Sequence, residues 1–283
     1  MDRNTILSTD RLFHYTYSKD NLISILKNGF KPKYSLEKLG VLKNDFNEFI
    51  PKQLSKEIKE EDISDEFAIP MCCFCDIPLN LVNNHIKIYG EYSIGLKKDW
   101  GEQQAICPVM YVPLGGESRF LFELMIRLTH RLLPKIQKKH TQIQQIPIET
   151  RNVDEELLTI DLIQYLDNVI NLIMYVKPYQ GLYERPYANF RDENYKFYDE
   201  REWRYKPNRF LTREFLYKNE YENSEILKKY NDSTGFIKFG KDDITDIIIP
   251  ESEVTQFRDI VSNIDRLKGF DLSKIDTITN KIK

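Results

Sequence analysis

A histidine, two tyrosines and a glutamate, widely spaced, carry the chemistry this sequence offers. They are His14, Tyr89, Tyr92 and Glu202, the last followed by Trp203 and Arg204. A carboxylate fixed on a rigid strand can stabilise positive charge developing on a sugar ring. Tyrosine ring faces can stack on a planar heterocycle. A histidine N–H can donate to a ribose hydroxyl. Taken together, the set suits binding NAD and breaking its nicotinamide–ribose bond. Glu202 and His14 are the expected catalytic pair. Tyr15, Tyr89, Tyr92 and Arg204 are the expected cofactor-binding residues.

The same residues have plainer readings. A glutamate beside an arginine on one strand is an ordinary ion pair, and an adjacent tryptophan is ordinary core. A lone histidine on a strand is commonly a structural hydrogen-bond partner. Asp76 and His85, with His14 or Glu202, are the residues a metal reading would use. No HExxH spacing supports it, so no metal is expected. Neither GxGxxG nor GxxxxGK occurs, and GxSxG and the kinase motifs are absent too.

The elements that must hold these groups can be read from the pattern. Phe67 to Phe74 is an apolar run that predicts a buried strand, closed by Asp76 and Pro78. Leu79, Val82, His85, Ile86 and Tyr89 share one side of a short helical piece, which Gly90 ends. Tyr92 to Leu96 is a second strand. Upstream, Phe13 to Thr16 is a strand, Ser18 an N-cap and Gly29 the end of a short helix. A solvated helix is expected over 54–61. Residues 105–113 read as one strand. Helical spacing then starts at Glu117, and Pro134 does not fit a helix interior. A second helix runs from about Asp154 to Tyr175, apolar on more than one face and so expected to be buried. Polar residues 135–150 read as an exposed connection. Segment 117–176 is therefore a helical insertion within a single domain, 1–283. Aromatic and charged residues alternate through 177–210 and end in the strand Glu202–Tyr205. Residues 235–240 and 244–250 read as strands, and Phe257 to Ile264 as a closing helix capped by Ser252. The fold class is α+β: a central, mainly antiparallel sheet with flanking helices.

Composition bounds the rest. The chain has 283 residues, 41% hydrophobic, with a net charge of −3. A core of useful size is affordable, and no general electrostatic pull towards nucleic acid is expected. Nucleic acid enters only as a modified target. The four cysteines, Cys72, Cys73, Cys75 and Cys107, read as reduced buried thiols, which favours the cytoplasm. No signal peptide or membrane span is expected, so the protein reads as soluble.

Three segments carry a family resemblance. FHYTYSKDNLISILKNGFKPKYSLE, IPMCCFCDIPLNLVNNHIKIYGEYSIGLKKDWG and EREWRY resemble the AbiGi family of bacterial abortive phage-resistance proteins, described as antitoxins. The resemblance implies phage defence and a protein partner: a toxin, an antitoxin or a phage protein. The opening and the EREWR strand are also similar to ADP-ribosyltransferase-like domains. That similarity implies NAD as cofactor, His14 at the ribose, Tyr89 or Tyr92 at nicotinamide, and Glu202 as the catalytic carboxylate. The chain lacks the Ser-Thr-Ser segment and tyrosine spacing of those domains. The competing expectation is a binding protein without catalysis, using the insertion and Tyr179, Tyr183 and Tyr187 of segment 177–210 as its partner surface.

Overall fold

A computed structural model describes residues 8–38, 66–113, 115–185, 189–208 and 212–281. The helix expected over 54–61 and Tyr187 lie outside them. The chain packs as two compact units. One holds residues 1–36, 68–109 and 180–283, and the other residues 37–67 and 110–179.

The elements run β1 (Arg11–Thr16), α1 (Lys19–Asn28), β2 (Lys33–Lys38), β3 (Glu66–Cys75), α2 (Asn83–Tyr89), β4 (Tyr92–Lys97), α3 (Lys98–Gln103), β5 (Cys107–Pro108), β6 (Met110–Val112), α4 (Glu117–Gln144), α5 (Val153–Ile173) and β7 (Val176–Pro178). They continue with β8 (Gly181–Arg185), β9 (Phe190–Tyr195), β10 (Glu202–Tyr205), β11 (Leu216–Tyr217), α6 (Lys218–Tyr221), α7 (Ser224–Ser233), β12 (Ile244–Ile248), α8 (Val254–Ser262), β13 (Ile275–Asp276) and α9 (Ile278–Lys281). The fold is α+β. The main sheet has the order β13-β12-β4-β1-β3-β10-β5, with β2 and β11 also against β3. β1 pairs antiparallel with β3 and β4, β10 with β3 and β5, and β12 with β4, while the edge pair β12–β13 is parallel.

Side-chain alternation divides the sheet into two faces. Leu12, Phe74, Ile94 and Leu96 share one face and pack with Leu22 and Leu26 of α1 and Phe257 and Val261 of α8. Burying a leucine such as Leu22, with no exposed surface, contributes about 2 kcal/mol. Phe13 and Cys75 share the other face with Ile77 and Val82. The entry into α1 follows its sequence: Ser18 accepts from the Asn21 N–H at 3.4 Å. At the other end Gly29 has φ 92°, and its N–H bonds to the Ile25 carbonyl. A Cβ there would lie 2.4 Å from the Ile237 carbonyl oxygen, so only glycine fits.

The structure corrects several expectations. Residues 105–113 are not one strand. Ala105 turns the chain at φ 56°, β5 joins β10, and β6 pairs in parallel with β7 in the second unit. Pro134 lies inside the 28-residue helix α4. The helix tolerates it because α5 packs along it, and the connection shrinks to residues 145–152. α5 is not largely buried: Leu157, Leu158 and Tyr165 are 53%, 57% and 64% exposed. Its buried stripe is Thr159, Leu166 and Ile173, one heptad apart, so a single face is covered. Residues 235–240 make only the bridge between Ile237 and Phe30. Ser252 lies in a 3-10 turn ahead of α8, whose N-cap is Glu253. Cys73 and Cys107 are exposed, and Cys72 and Cys75 are buried. No helix among the described residues is long and apolar enough to cross a membrane.

Candidate functional site

β1, β3 and β10 decide where the expected site residues go. Phe13 is opposite Cys75, and Cys75 is opposite Glu202. Tyr15 therefore shares a face with Glu202 and Arg204, while His14 projects from the other face beside Phe74 and Phe30. The structure does not bring His14 and Glu202 together. Tyr92 lies on the His14 face, and its hydroxyl donates to Glu253 at 3.0 Å.

His14 is a structural partner here. Its Nδ1 is 2.8 Å from the Cys73 carbonyl oxygen. That oxygen can only accept, so Nδ1 carries the hydrogen. Burial pulls the imidazole below its usual range, opposed by the bond to Cys73. The ring is held neutral.

Glu202 and Arg204 form an ion pair inside the sheet. They are 5% and 0% exposed. Arg204 Nε and Nη2 each lie 2.8 Å from the same Glu202 oxygen. Both project from one face because they are two residues apart on β10.

The polar cluster that does form centres on Glu200, not Glu202. The 3-10 turn Phe197–Glu200 ends at Arg201 in the left-handed region, φ 44°. This kink separates Glu200 from the strand that begins at Glu202. Glu200 is 3% exposed and accepts from the Tyr89 hydroxyl at 2.5 Å. The Tyr183 hydroxyl is 2.9 Å from that of Tyr89. Arg185 Nε donates to the Tyr183 oxygen at 2.6 Å. Since Tyr89 gives its hydrogen to Glu200, Tyr183 must be the donor to Tyr89. The hydrogen bonds then run one way, from Arg185 through Tyr183 and Tyr89 to Glu200. Burial, and then the Glu200 charge, hold the Tyr89 phenol well above its usual range. It stays a donor.

Aromatic rings frame this relay. His85 stacks on Tyr89 at 4.3 Å, and Tyr15 meets His85 edge-on at 4.9 Å. The Arg185 guanidinium lies 5.0 Å from the centre of the Tyr89 ring. Tyr183, Tyr195 and Phe197 pack at 4.8–5.2 Å on the hairpin side. The arrangement can hold a buried negative charge and present a cationic, aromatic rim. Tyr183 and Arg185 were not singled out as a pair in the sequence. Their signal was the alternation in Leu182-Tyr183-Glu184-Arg185, which places residues two apart on one face.

Asp76, His85 and Glu202 do not converge as a metal reading requires. Asp76 is engaged by Ser8 Oγ at 2.6 Å, the Thr9 N–H at 2.6 Å and Lys98 Nζ at 2.7 Å. Burial alone would push its carboxyl up. Hydrogen bonds from Lys98, Ser8 and Thr9 outweigh that and hold it below its usual value. Among the described residues, no group of three or more His, Cys, Asp and Glu side chains is placed to hold a metal ion.

A relative from Lactococcus lactis subsp. cremoris, named abortive phage resistance protein AbiGi, is 28% identical over 173 residues. The match covers 56% of this chain and 61% of that relative. No solved structure matches the chain at a significant level. The family described as "Putative abortive phage resistance protein AbiGi, antitoxin" matches residues 41–250. That span is most of the sequence, and it takes in α2, the relay and the Glu202–Arg204 strand: the chain belongs to the AbiGi family of abortive phage-resistance proteins.

Proposed function

We propose that this protein acts in abortive phage defence by holding a protein partner, a toxin in the sense of its family's description, in the cytoplasm and without catalysis of its own. The observation that carries this reading is the separation of His14 from Glu202. They lie on opposite faces of one sheet, and the Glu202 carboxylate is already bonded to Arg204. A transferase needs both groups at one ribose.

The partner surface in this reading is the β8–β9 hairpin. Leu182 on β8 is 50% exposed, Tyr198 in the turn that follows β9 is 46% exposed, and Arg191 on β9 bridges Glu184 and Glu193 at the surface. Aromatic and arginine side chains are the groups that dominate protein interfaces. Tyr183 is committed to the relay, so its part is to support the hairpin.

The test is a phage plating assay on cells carrying the chain, with each variant's melting temperature measured alongside. Glu202→Gln is expected to keep protection, and the double variant Leu182→Asp with Arg191→Glu to lose it. Loss in a well-folded Glu202→Gln, together with a thermal shift on adding NAD, would instead establish the ADP-ribosyltransferase reading. Any NAD pocket would then have to be reassigned around Tyr89 and Glu200.

A further inference from the structure

The helical hairpin α4–α5 leaves a second seam uncovered. Leu158, Leu162, Tyr165, Val169 and Leu172 follow one another at spacings of four, three, four and three. That is the repeat of a helix that packs against another along its length. The stripe buried in the hairpin is a different one, Thr159, Leu166 and Ile173. Leu158, Leu162, Tyr165 and Leu172 are 57%, 36%, 64% and 46% exposed.

Charge points to what covers this seam. α5 carries Asp154, Glu155, Glu156, Asp161 and Asp167 and no lysine or arginine. α4 carries three arginines and three lysines against two glutamates. Inside the hairpin the two helices already match: Lys139 pairs with Glu155 at 2.7 Å, and His140 Nδ1 is 3.1 Å from Thr159 Oγ1. Asp154 and Asp161 remain exposed beside the open seam, and Lys135 and Lys138 remain exposed on α4, none of them in an ion pair among the described residues. One hairpin thus offers unpaired charges of both signs, on different helices.

We propose that the seam is covered by a second copy of this chain, the two hairpins forming an antiparallel four-helix bundle in which α5 of each lies against α4 of the other. A two-fold axis along the hairpin repeats the same contact twice, as closed dimers require. It also preserves the level at which the helices pass, set by Lys139–Glu155 and His140–Thr159. Asp154 and Asp161 then lie beside Lys135 and Lys138 of the second copy. The apolar end, Tyr165 to Leu172, lies against Leu128 to Leu121, of which Leu121 is 49% exposed. Acid meets base at one end and apolar meets apolar at the other.

The test is the molar mass of the full chain by light scattering and sedimentation at micromolar concentrations. The wild type is expected at twice the chain mass. Leu162→Glu is expected to weaken the dimer at least about tenfold while its circular dichroism and melting curve stay those of a folded chain. Asp161→Lys weakens it too, and adding Lys135→Asp restores it, because the swap rebuilds the pair in both halves. A monomeric wild type overturns the proposal and leaves the seam to a different protein. A dimer indifferent to Leu162→Glu, or not restored by the double charge swap, also overturns it.

Discussion

Tyr89 donates its phenolic hydrogen to Glu200 across 2.5 Å, which ties helix α2 to the turn that precedes β10. Tyr89→Phe removes that donor from a buried carboxylate, at an expected cost of about 1–3 kcal/mol by urea denaturation. The phenol is raised in the folded protein. The unfolded chain therefore loses this proton first as pH rises through about 10. Stability from Tyr89 is fully present below that pH and is lost as pH climbs towards the folded value. The wild type should lose stability above pH ~10 more steeply than Tyr89→Phe. Parallel slopes would remove the relay from the account.

His14 should titrate in the opposite sense. Its folded value lies below the usual 6.5, so the unfolded chain takes up the proton first on acidification. Its contribution is present above pH 6.5 and fades as pH falls through the folded value. Melting temperatures between pH 7.5 and 5 should fall less in His14→Gln than in the wild type. Gln retains an N–H for the Cys73 carbonyl but cannot gain charge.

Glu202→Leu removes the carboxylate bonded to an arginine with no solvent exposure. The expected loss is about 3–5 kcal/mol. Glu202→Gln keeps an acceptor and should cost less, about 1–3 kcal/mol. Pairing Glu202→Leu with Arg204→Leu should recover much of the loss, since two apolar groups leave no buried charge. A double-mutant cycle checks this, and strict additivity of the two losses would rule out the direct pair.

Gly90 ends α2 at φ 101°, and a Cβ there would lie 2.4 Å from the Thr16 carbonyl oxygen. Gly90→Ala should destabilise by more than about 1 kcal/mol, through both strain and collision. Gly115→Ala, where a Cβ meets nothing within 4 Å, is the control and should leave the melting temperature nearly unchanged.

Where the sequence was legible, local chemistry decided the outcome. Ser18, Gly29 and Gly90 act at their own helix ends, and the alternation in Glu202-Trp203-Arg204-Tyr205 gives its two faces directly. The register of β1 against β3 was not legible, because it depends on residues far apart in the chain. That register separates His14 from Glu202. Pro134 was misread for a related reason: packing along α5 outweighs one missing hydrogen bond. The relay was hidden because Tyr89, Tyr183 and Glu200 meet only after three distant segments fold together. Apolar spacing on α5 showed a helix but not how many of its faces would be covered.

The strand order also sets a schedule for folding. β1, β3 and β4 come from the first hundred residues, yet β10, which pairs with Cys72 to Cys75 of β3, follows only at residue 202. On the ribosome at about 5–20 residues per second, β3 emerges several seconds before its neighbour. Its backbone edge is then open to strands of other chains. The sheet has high contact order, so its closure is slow even once the chain is complete. Expression at low temperature or with added chaperones is where this protein's yield should be most sensitive, because the exposed edge, and not the finished fold, is the hazard.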